Sequence, residues 1–110
     1  IYQLRLKNGQ IDPFSSGTLI EKNGQSIHLK KEDFLIKVLD YWTSPTTKVR
    51  YPAKWQVDLP KYNISMNIVP FMKNQELNLS FAYWEGAVKV TGENFTGDGY
   101  VELTGYNEKF

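Results

Sequence analysis

Two glutamates near the end of the chain stand among aromatic residues and could do acid–base chemistry. Glu85 lies in 83-YWEGAVKVTGE-93, and Glu102 lies in 99-GYVELTGY-106. A carboxylate held among aromatic rings loses solvation, which raises its pKa toward the range in which a carboxylic acid can protonate a substrate. The same rings could hold an apolar ligand while the carboxylate fixes its orientation. The sequence therefore offers two hypotheses for this region, a general acid and the wall of a ligand cavity.

A third carboxylate has the same kind of surroundings, because Tyr41 and Trp42 follow Asp40 directly in 40-DYWTSP-45. The catalytic residue stays open, and the weak candidates are Asp40, Glu85 and Glu102. The aromatic residues predicted to contact a ligand are Tyr41, Trp42, Tyr83, Trp84, Tyr100 and Tyr106.

Alternation assigns the residues around the two glutamates to the faces of a β-hairpin. With a period of two, Glu85 shares a face with Tyr83, and Glu102 shares a face with Tyr100. The short loop at 92–98 predicts that the two strands pair, which places both Tyr/Glu faces on one side of the sheet. The opposite side carries Val88, Val90, Val101 and Leu103. Alternation does not say which side is enclosed: these aliphatic residues could fill the core, or the Tyr/Glu face could line a cavity.

The rest of the chain shows the same period of two, which predicts an all-β fold. Further strands are predicted at 2–7, 17–22, 26–29, 34–42, 55–59 and 63–69. In 34–42 the side chains expected on one side are Phe34, Ile36, Val38, Asp40 and Trp42. Only 29–34 and 72–77 could hold a turn of helix. Many short strands without a long helix indicate an antiparallel sandwich or barrel, and we favour the barrel.

Turn-forming residues separate these strands. Asn8-Gly9 and Asn23-Gly24 are typical of tight hairpin turns, which need positive φ. The prolines expected between strands, where a missing N–H does least harm, are Pro45, Pro52, Pro60 and Pro70. The irregular stretch 43–53 has the length of a functional loop or a connection at a barrel mouth.

Composition excludes several classes of site. A chain of 110 residues is long enough for one domain, 1–110. Its net charge is +1, and it has no basic stripe that could bind a nucleic acid. The absence of cysteine removes thiolate zinc sites and cysteine nucleophiles. His28 is the only histidine, so neither a metal site nor a serine–histidine triad is predicted. No cofactor is expected. The chain begins at Ile1 inside a predicted strand, so we expect it to be a fragment of a longer protein.

Several stretches together resemble one protein family. In chain order they are 2-YQLR-5, 12-DPFSSGT-18, 40-DYWTSP-45, 51-YPAKW-55, 75-QEL-77, 83-YWEGAV-88 and 99-GYVELTGY-106. They resemble the C-terminal region of the AttH-like, carotenoid 1,2-hydratase-like proteins of the lipocalin-like (calycin) group, which are often labelled secreted hydrolases. The resemblance covers nearly the whole chain in order and at close spacing.

This resemblance implies a protein of two lipocalin-like β-barrel domains, of which the chain covers most of the second. The barrel is expected to be incomplete here, and the N-terminal lipocalin-like domain of the same protein is the expected partner. Exposed edge strands of an incomplete barrel invite self-association. The implied location is secreted or periplasmic, in a bacterium.

The resemblance leaves three hypotheses for function. The chain could bind a lipophilic small molecule, such as an isoprenoid or another lipid, without chemistry of its own. It could belong to a hydratase or hydrolase-like enzyme that protonates an isoprenoid double bond with a carboxylic acid. Alternatively, the barrel could serve to pack on its partner domain, with the Tyr/Glu face in the interface.

Overall fold

The computed structural model describes residues 1–107, which form eight β-strands and two short 3-10 turns. The strands are β1 (Ser16–Ile20), β2 (Ser26–Lys30), β3 (Leu35–Thr43), β4 (Arg50–Leu59), β5 (Ile64–Pro70), β6 (Glu76–Asn78), β7 (Ala82–Gly92) and β8 (Thr96–Leu103). The 3-10 turns are Lys31–Asp33 and Pro60–Tyr62. Within residues 1–107, no helix is long and apolar enough to cross a membrane. The predicted all-β class is confirmed.

The strands form two antiparallel sheets. β1 and β2 pair only with each other, and the remaining six strands form one sheet in which β3, β4, β5 and β7 are successive neighbours. β7 also pairs with β6 and β8. Trp84 of β7 lies opposite Glu76 of β6 and opposite Leu103 of β8, so β6 and β8 lie on different edges of β7. β5 and β6 therefore pair with the same edge of β7, and β8 pairs with its other edge.

The larger sheet is not closed into a barrel within residues 1–107. β3 pairs with β4 alone and β8 with β7 alone, so each leaves one edge without a strand neighbour among these residues. The antiparallel arrangement that the sequence predicts is present, whereas residues 1–107 by themselves do not form the barrel that we favoured.

One face of the larger sheet is apolar, because alternate residues of its strands point the same way. Two buried clusters lie on it. The aromatic cluster consists of Tyr51, Trp55, Trp84, Val88 and Leu103. The covered cluster consists of Leu29, Phe34, Val57 and Leu59, and it lies under the β1–β2 hairpin, whose Leu19 also packs against it. Fully burying one large apolar side chain such as Trp84 stabilises the fold by about 2–3 kcal/mol.

The alternation expected in 34–42 breaks in the middle of β3. Val38 lies opposite Trp55 and Trp42 opposite Tyr51, but the register shifts on both sides of Asp40. Asp40 therefore lies opposite the exposed Lys54 rather than opposite a core residue. A β-bulge of this kind adds a residue to one strand and re-aims the side chains that follow. The prediction that Asp40 shares a side with Val38 and Trp42 is wrong for this reason.

Pro52 also differs from expectation, because it lies inside β4, opposite Tyr41. β5 pairs with β4 only from Trp55 onward, so Pro52 has a strand neighbour on one side only. A proline is tolerated there because no second strand needs its missing N–H.

Other local predictions have mixed outcomes. Gly9 and Gly24 have φ values of 86° and 88°, which confirms the two predicted hairpin turns. The predicted helical turn in 29–34 is the 3-10 turn Lys31–Asp33, whereas 72–77 contains the start of β6 and no helical turn. The predicted strand at 2–7 is reduced to isolated bridges.

Candidate functional site

The closing hairpin has the register that the sequence predicts. Glu85 of β7 lies directly opposite Glu102 of β8, and Ala87 lies opposite Tyr100. Val88 and Leu103 on the other face are 1% and 8% exposed and belong to the aromatic cluster. Of the two interpretations left open by alternation, the one with the aliphatic residues in the core is observed. The Tyr/Glu face points away from the core.

The two glutamates form a like-charge pair on that outer face. A hydrogen bond with Glu102 is the largest cause that raises the pKa of Glu85, followed by partial desolvation and the negative charge of Glu102. The pKa of the Tyr100 hydroxyl is also raised, by desolvation and then by the charges of both glutamates. In the part of the chain that the structure describes, the ion pairs are Lys73–Asp40 and Lys89–Asp98, and neither glutamate takes part. The pair can therefore hold a proton at higher pH than an isolated glutamate.

Asp40 lies apart from this pair. The Nζ atom of Lys73 is 3.8 Å from its Oδ2 atom, and the backbone amide of Tyr41 donates a hydrogen bond of 2.8 Å to its Oδ1 atom. Strands β4 and β5 stand between β3, which carries Asp40, and β7, which carries Glu85. The structure brings Glu85 and Glu102 together and leaves Asp40 in an exposed ion pair of small energetic weight.

The predicted ligand-contacting aromatic residues are divided between the two faces of the sheet. Trp84 is 1% exposed, and its Nε1 atom donates a hydrogen bond of 2.8 Å to the carbonyl oxygen of Lys73. Trp42 and Tyr106 are half-buried against the aromatic cluster. Tyr83 and Tyr100 lie on the Tyr/Glu face. Tyr41 lies under the guanidinium group of Arg50, 3.8 Å from the ring centre to Cζ.

A carboxylate that sequence reasoning missed, Glu76, accepts hydrogen bonds from three different hydroxyl groups. Its Oε1 atom accepts a bond of 2.6 Å from the Ser44 hydroxyl. Its Oε2 atom accepts bonds of 2.6 Å from the Thr47 hydroxyl and 2.7 Å from the Tyr51 hydroxyl. Ser44 and Tyr51 are each 1% exposed. We call these four residues the Glu76 cluster.

The turn between β3 and β4 holds the hydroxyl groups of this cluster in place. The Ser44 amide donates to the Val49 carbonyl over 2.8 Å, and the Lys48 amide donates to the Ser44 carbonyl over 2.9 Å. Lys48 adopts a left-handed φ of 64°, which lets the chain reverse. The Ser44 Oγ atom accepts hydrogen bonds from the amides of Thr46 and Thr47, so its own proton is directed to Glu76.

The electrostatics of the Glu76 cluster favour an ionised carboxylate. Burial alone would raise the pKa of Glu76, but hydrogen bonds from Ser44, Thr47 and Tyr51 outweigh it and hold the pKa below its usual range. The pKa of Tyr51 lies well above its usual value because of burial, its hydrogen bond to Glu76 and the negative charge there. At neutral pH Glu76 therefore accepts three hydrogen bonds and has no proton to give to a substrate.

A side-chain clamp holds Glu76 in position. The Gln75 carboxamide donates a hydrogen bond of 3.1 Å to the Ala87 carbonyl and accepts one of 3.0 Å from the Ala87 amide. It lies over Gly86, where a Cβ atom would overlap it. The stretches 75-QEL-77 and 83-YWEGAV-88 are thereby joined. A three-residue strand shows too little alternation to reveal Glu76 from the sequence, although 75-QEL-77 is among the stretches that carry the family resemblance.

Three rings extend the Glu76 cluster along the apolar face. The Trp42 and Tyr51 rings are stacked with centroids 6.2 Å apart, and the Tyr106 ring lies 6.0 Å from Tyr51. The guanidinium carbon of Arg5 is 4.0 Å from the centre of the Tyr106 ring. We call Trp42, Tyr51 and Tyr106 the aromatic wall, and Arg5 stands at its end.

Two open grooves lie elsewhere on the surface. One, of about 500 Å³, lies between the Pro60–Tyr62 turn and the β7–β8 loop. The other, of about 580 Å³, lies beside residues 6–13. Neither contains a predicted site residue. Within residues 1–107, no three histidine, aspartate or glutamate side chains come together in an arrangement that could hold a metal ion.

Comparison with known proteins decides the family. The sequence model of the AttH-like family matches residues 1–106. This chain belongs to the AttH-like family. A crystal structure at 2.00 Å resolution, of a candidate AttH from Nitrosomonas europaea, matches with a TM-score of 0.84 and 29% identity over 94% of this chain. The chain spans 33% of the length of that protein. A search of curated proteins finds no match.

The stretches that carry the AttH-like resemblance meet at the Glu76 cluster and the aromatic wall. Ser44 and Trp42 come from 40-DYWTSP-45, and Tyr51 comes from 51-YPAKW-55. Glu76 comes from 75-QEL-77 and Tyr106 from 99-GYVELTGY-106. In this AttH-like chain, segments far apart in sequence are thus joined through one carboxylate and three adjacent rings.

Proposed function

We propose that this chain forms part of a lipocalin-like barrel and that the apolar face of its larger sheet binds a lipophilic small molecule, such as an isoprenoid or another lipid. The observation that carries the proposal is the unequal covering of that face. The covered cluster contains Leu29 and has Leu19 packed against it, both from the β1–β2 hairpin, whereas the aromatic cluster and the partly exposed residues around it include no residue of that hairpin.

The partly exposed residues around the aromatic cluster are the proposed contact surface. Trp42, Val38, Val90, Val101 and Tyr106 all pack against this cluster without being fully buried. A surface of rings and branched aliphatic side chains suits an apolar ligand, because small-molecule sites are concave, mostly apolar and served by few polar groups. The Glu76 cluster supports this surface by fixing the Tyr51 ring against Trp42.

The barrel itself is part of the proposal. Three observations support a barrel. The chain belongs to the AttH-like family, the edges of β3 and β8 are open, and the chain spans only 33% of the solved AttH relative. Additional strands from a longer protein would close the sheet, and an N-terminal lipocalin-like domain would be the partner that packs on the outer Tyr/Glu face. A secreted or periplasmic location in a bacterium is proposed on the family resemblance alone.

A titration with a polyene fatty acid tests ligand binding. We expect quenching of tryptophan fluorescence in delipidated protein, since Trp42 lies on the proposed surface. Trp42→Leu should weaken binding about tenfold, because it removes much of the aromatic contact area; its affinity is measured by calorimetry, since the substitution also removes the reporting tryptophan. Tyr100→Leu, on the outer face, is the matched control and should leave affinity unchanged. Absence of binding, or a larger loss in Tyr100→Leu than in Trp42→Leu, would overturn the proposal.

A second candidate function is acid-catalysed hydration of an isoprenoid held on the outer Tyr/Glu face, where Glu85 lies opposite Glu102 and shares the face with Tyr83 and Tyr100, and where its pKa is raised. A carboxylic acid that keeps its proton at higher pH is better suited to protonate an isoprenoid double bond than an ordinary glutamate. Glu85→Gln should abolish hydration of an acyclic isoprenoid while binding of the polyene stays nearly intact. Equal activity in Glu85→Gln, Glu102→Gln and Asp40→Asn would remove all three carboxylates as the acid.

A further inference from the structure

The backbone around Arg5 is held firmly enough to present its side chain in one place. The Leu4 amide donates a hydrogen bond of 2.9 Å to the Ser15 hydroxyl, and Ser15 is 1% exposed. The Leu6 amide donates to the Gln10 carbonyl over 2.8 Å. Arg5 itself lies opposite Ile11 in an isolated bridge. The residues on both sides of Arg5 are thus anchored, so its placement over Tyr106 does not depend on the side chain alone.

The hydrogen-bonding edge of Arg5 has no carboxylate partner among residues 1–107. The guanidinium carbon is 4.0 Å from the Tyr106 ring centre. Such stacking uses the flat face of the guanidinium, whereas its N–H groups lie in the plane and point outward, in the fork that suits carboxylate and phosphate oxygens. No carboxylate of residues 1–107 forms an ion pair with Arg5. The charge of Arg5 is felt at Tyr106, where it lowers a pKa that burial raises.

Within residues 1–107, Glu76, which contacts Tyr51, and Asp40, which precedes Trp42 by two residues, already have partners. Glu76 accepts hydrogen bonds from Ser44, Thr47 and Tyr51, and Asp40 is paired with Lys73. Arg5 places a cation at the Tyr106 end of the aromatic wall. A polar cation at the end of an apolar surface matches an amphiphile, which has a charged head and an apolar tail.

We propose that Arg5 binds the anionic head group of an amphiphilic ligand, a carboxylate or a phosphate, whose apolar part lies against Trp42 and Tyr106, the two partly exposed rings of the aromatic wall. The proposal rests on the proposed function and names the class of ligand. Stacking on Tyr106 preorganises the guanidinium, so the head group gains charge-assisted hydrogen bonds without ordering a free side chain.

Arg50 provides a matched control within the same chain. Its guanidinium carbon lies 3.8 Å from the centre of the Tyr41 ring, a stack of the same kind as Arg5 on Tyr106. Arg50 precedes Tyr51 in β4, and Tyr41 precedes Trp42 in β3. Because neighbouring residues of a strand point to opposite faces, Arg50 and Tyr41 lie on the face away from the aromatic wall. Arg50 has the chemistry of Arg5 without its position beside the aromatic wall.

The test compares ligands with the same tail and different heads: laurate, dodecyl phosphate and uncharged dodecanol, with inorganic phosphate as the head alone. Affinities are measured by tryptophan fluorescence and calorimetry on the whole chain. We expect the anionic amphiphiles to bind at least about tenfold more tightly than dodecanol. Arg5→Gln should bring this ratio close to one, Arg5→Lys should retain part of it, and Arg50→Gln should leave it unchanged.

The possible outcomes separate the two proposals. Equal affinities for laurate and dodecanol in the parent chain would overturn the role of Arg5 and leave lipophilic binding intact. Binding of inorganic phosphate that is lost in Arg5→Gln, with no binding of any amphiphile, would retain the anion site and overturn the proposed function. An equal loss in Arg50→Gln would overturn the specific role of Arg5, and absence of all binding would overturn both proposals. Urea unfolding of each variant shows whether the fold is preserved.

Discussion

The Glu76 cluster and the Glu85–Glu102 pair show two opposite treatments of a glutamate. Glu76 is half-buried and accepts three hydrogen bonds from hydroxyl groups, and its pKa is lowered. Glu85 faces another carboxylate on an outer face, and its pKa is raised. Burial alone would have produced the reverse order. The groups that face a carboxylate therefore decide its charge more than its depth does.

This difference changes which glutamate is suited to which task. The Glu76 carboxylate joins the β3–β4 turn to β6, and its negative charge is needed for that contact. The Glu85–Glu102 pair joins nothing within residues 1–107 and stores mutual repulsion, because like charges directly opposite each other destabilise a sheet. Two substitutions and one change of pH test the difference between the two glutamates, in order of decreasing expected effect on stability.

Glu76→Gln should destabilise the protein by roughly 2–4 kcal/mol, because the buried hydroxyls of Ser44 and Tyr51 lose a charged acceptor and face an amide donor. Urea unfolding measures the change in the free energy of unfolding. Glu85→Gln is the matched control and should leave the stability unchanged or raise it, since it removes repulsion. Equal losses in both variants would contradict the contrast between the two sites.

Gly86→Ala should cost about 2 kcal/mol, because the added Cβ atom displaces the Gln75 carboxamide from both backbone groups of Ala87. Since Gln75 precedes Glu76, the substitution should loosen the Glu76 cluster. Gly97→Ala is the control, as a Cβ atom there would meet nothing within 4 Å. Thermal unfolding of the two variants compares them, and a loss of the same size at Gly97 would rule out the Gln75 clamp as the cause.

Acidification should act on the two sites in opposite directions. The raised pKa of Glu85 means that the folded state takes up a proton more readily than the unfolded state, so stability rises as pH falls through that pKa. The lowered pKa of Glu76 means that its contribution is complete above its ordinary value of 4.5 and is lost as pH falls through the folded-state pKa.

Urea midpoints recorded from about pH 7 down to about pH 3 would reveal both effects. Glu85→Gln should remove the early gain in stability, and Glu76→Gln should flatten the later loss. A parent chain whose stability falls steadily from neutral pH, with no difference in Glu85→Gln, would show that the repulsion between Glu85 and Glu102 is too weak to matter.

Alternation in the sequence predicted the closing hairpin well because its strands are long. The pairing of β7 with β8 and the common side of Glu85 and Glu102 follow from a period of two over β7, which has 11 residues. The enclosed side could not be predicted, because a large aromatic residue such as tyrosine can lie on either face: Tyr51 is buried in the core, whereas Tyr100 is exposed.

The remaining differences between prediction and structure arise where contacts between distant strands decide the position of a residue. A register shift in β3 depends on how β4 packs against it, so the position of Asp40 is not encoded in its own alternation. The Glu76 cluster joins three hydroxyl residues of 44–51 to Glu76, which lies 25 or more residues later in a three-residue strand. No local pattern brings them together. Barrel closure depends on strands that residues 1–107 do not provide.

The central position of β7 in the sheet predicts which strands unfold locally and which unfold only with the whole protein. β7 is paired along both edges, by β5 and β6 on one side and β8 on the other, whereas β1 and β2 form a sheet of their own. Amide hydrogens in β7 should therefore exchange with solvent only through global unfolding, while those of β1 and β2 exchange through a local opening of lower free energy. That opening would lift Leu29 from Val57 and Leu59 and expose the covered cluster before the sheet itself separates.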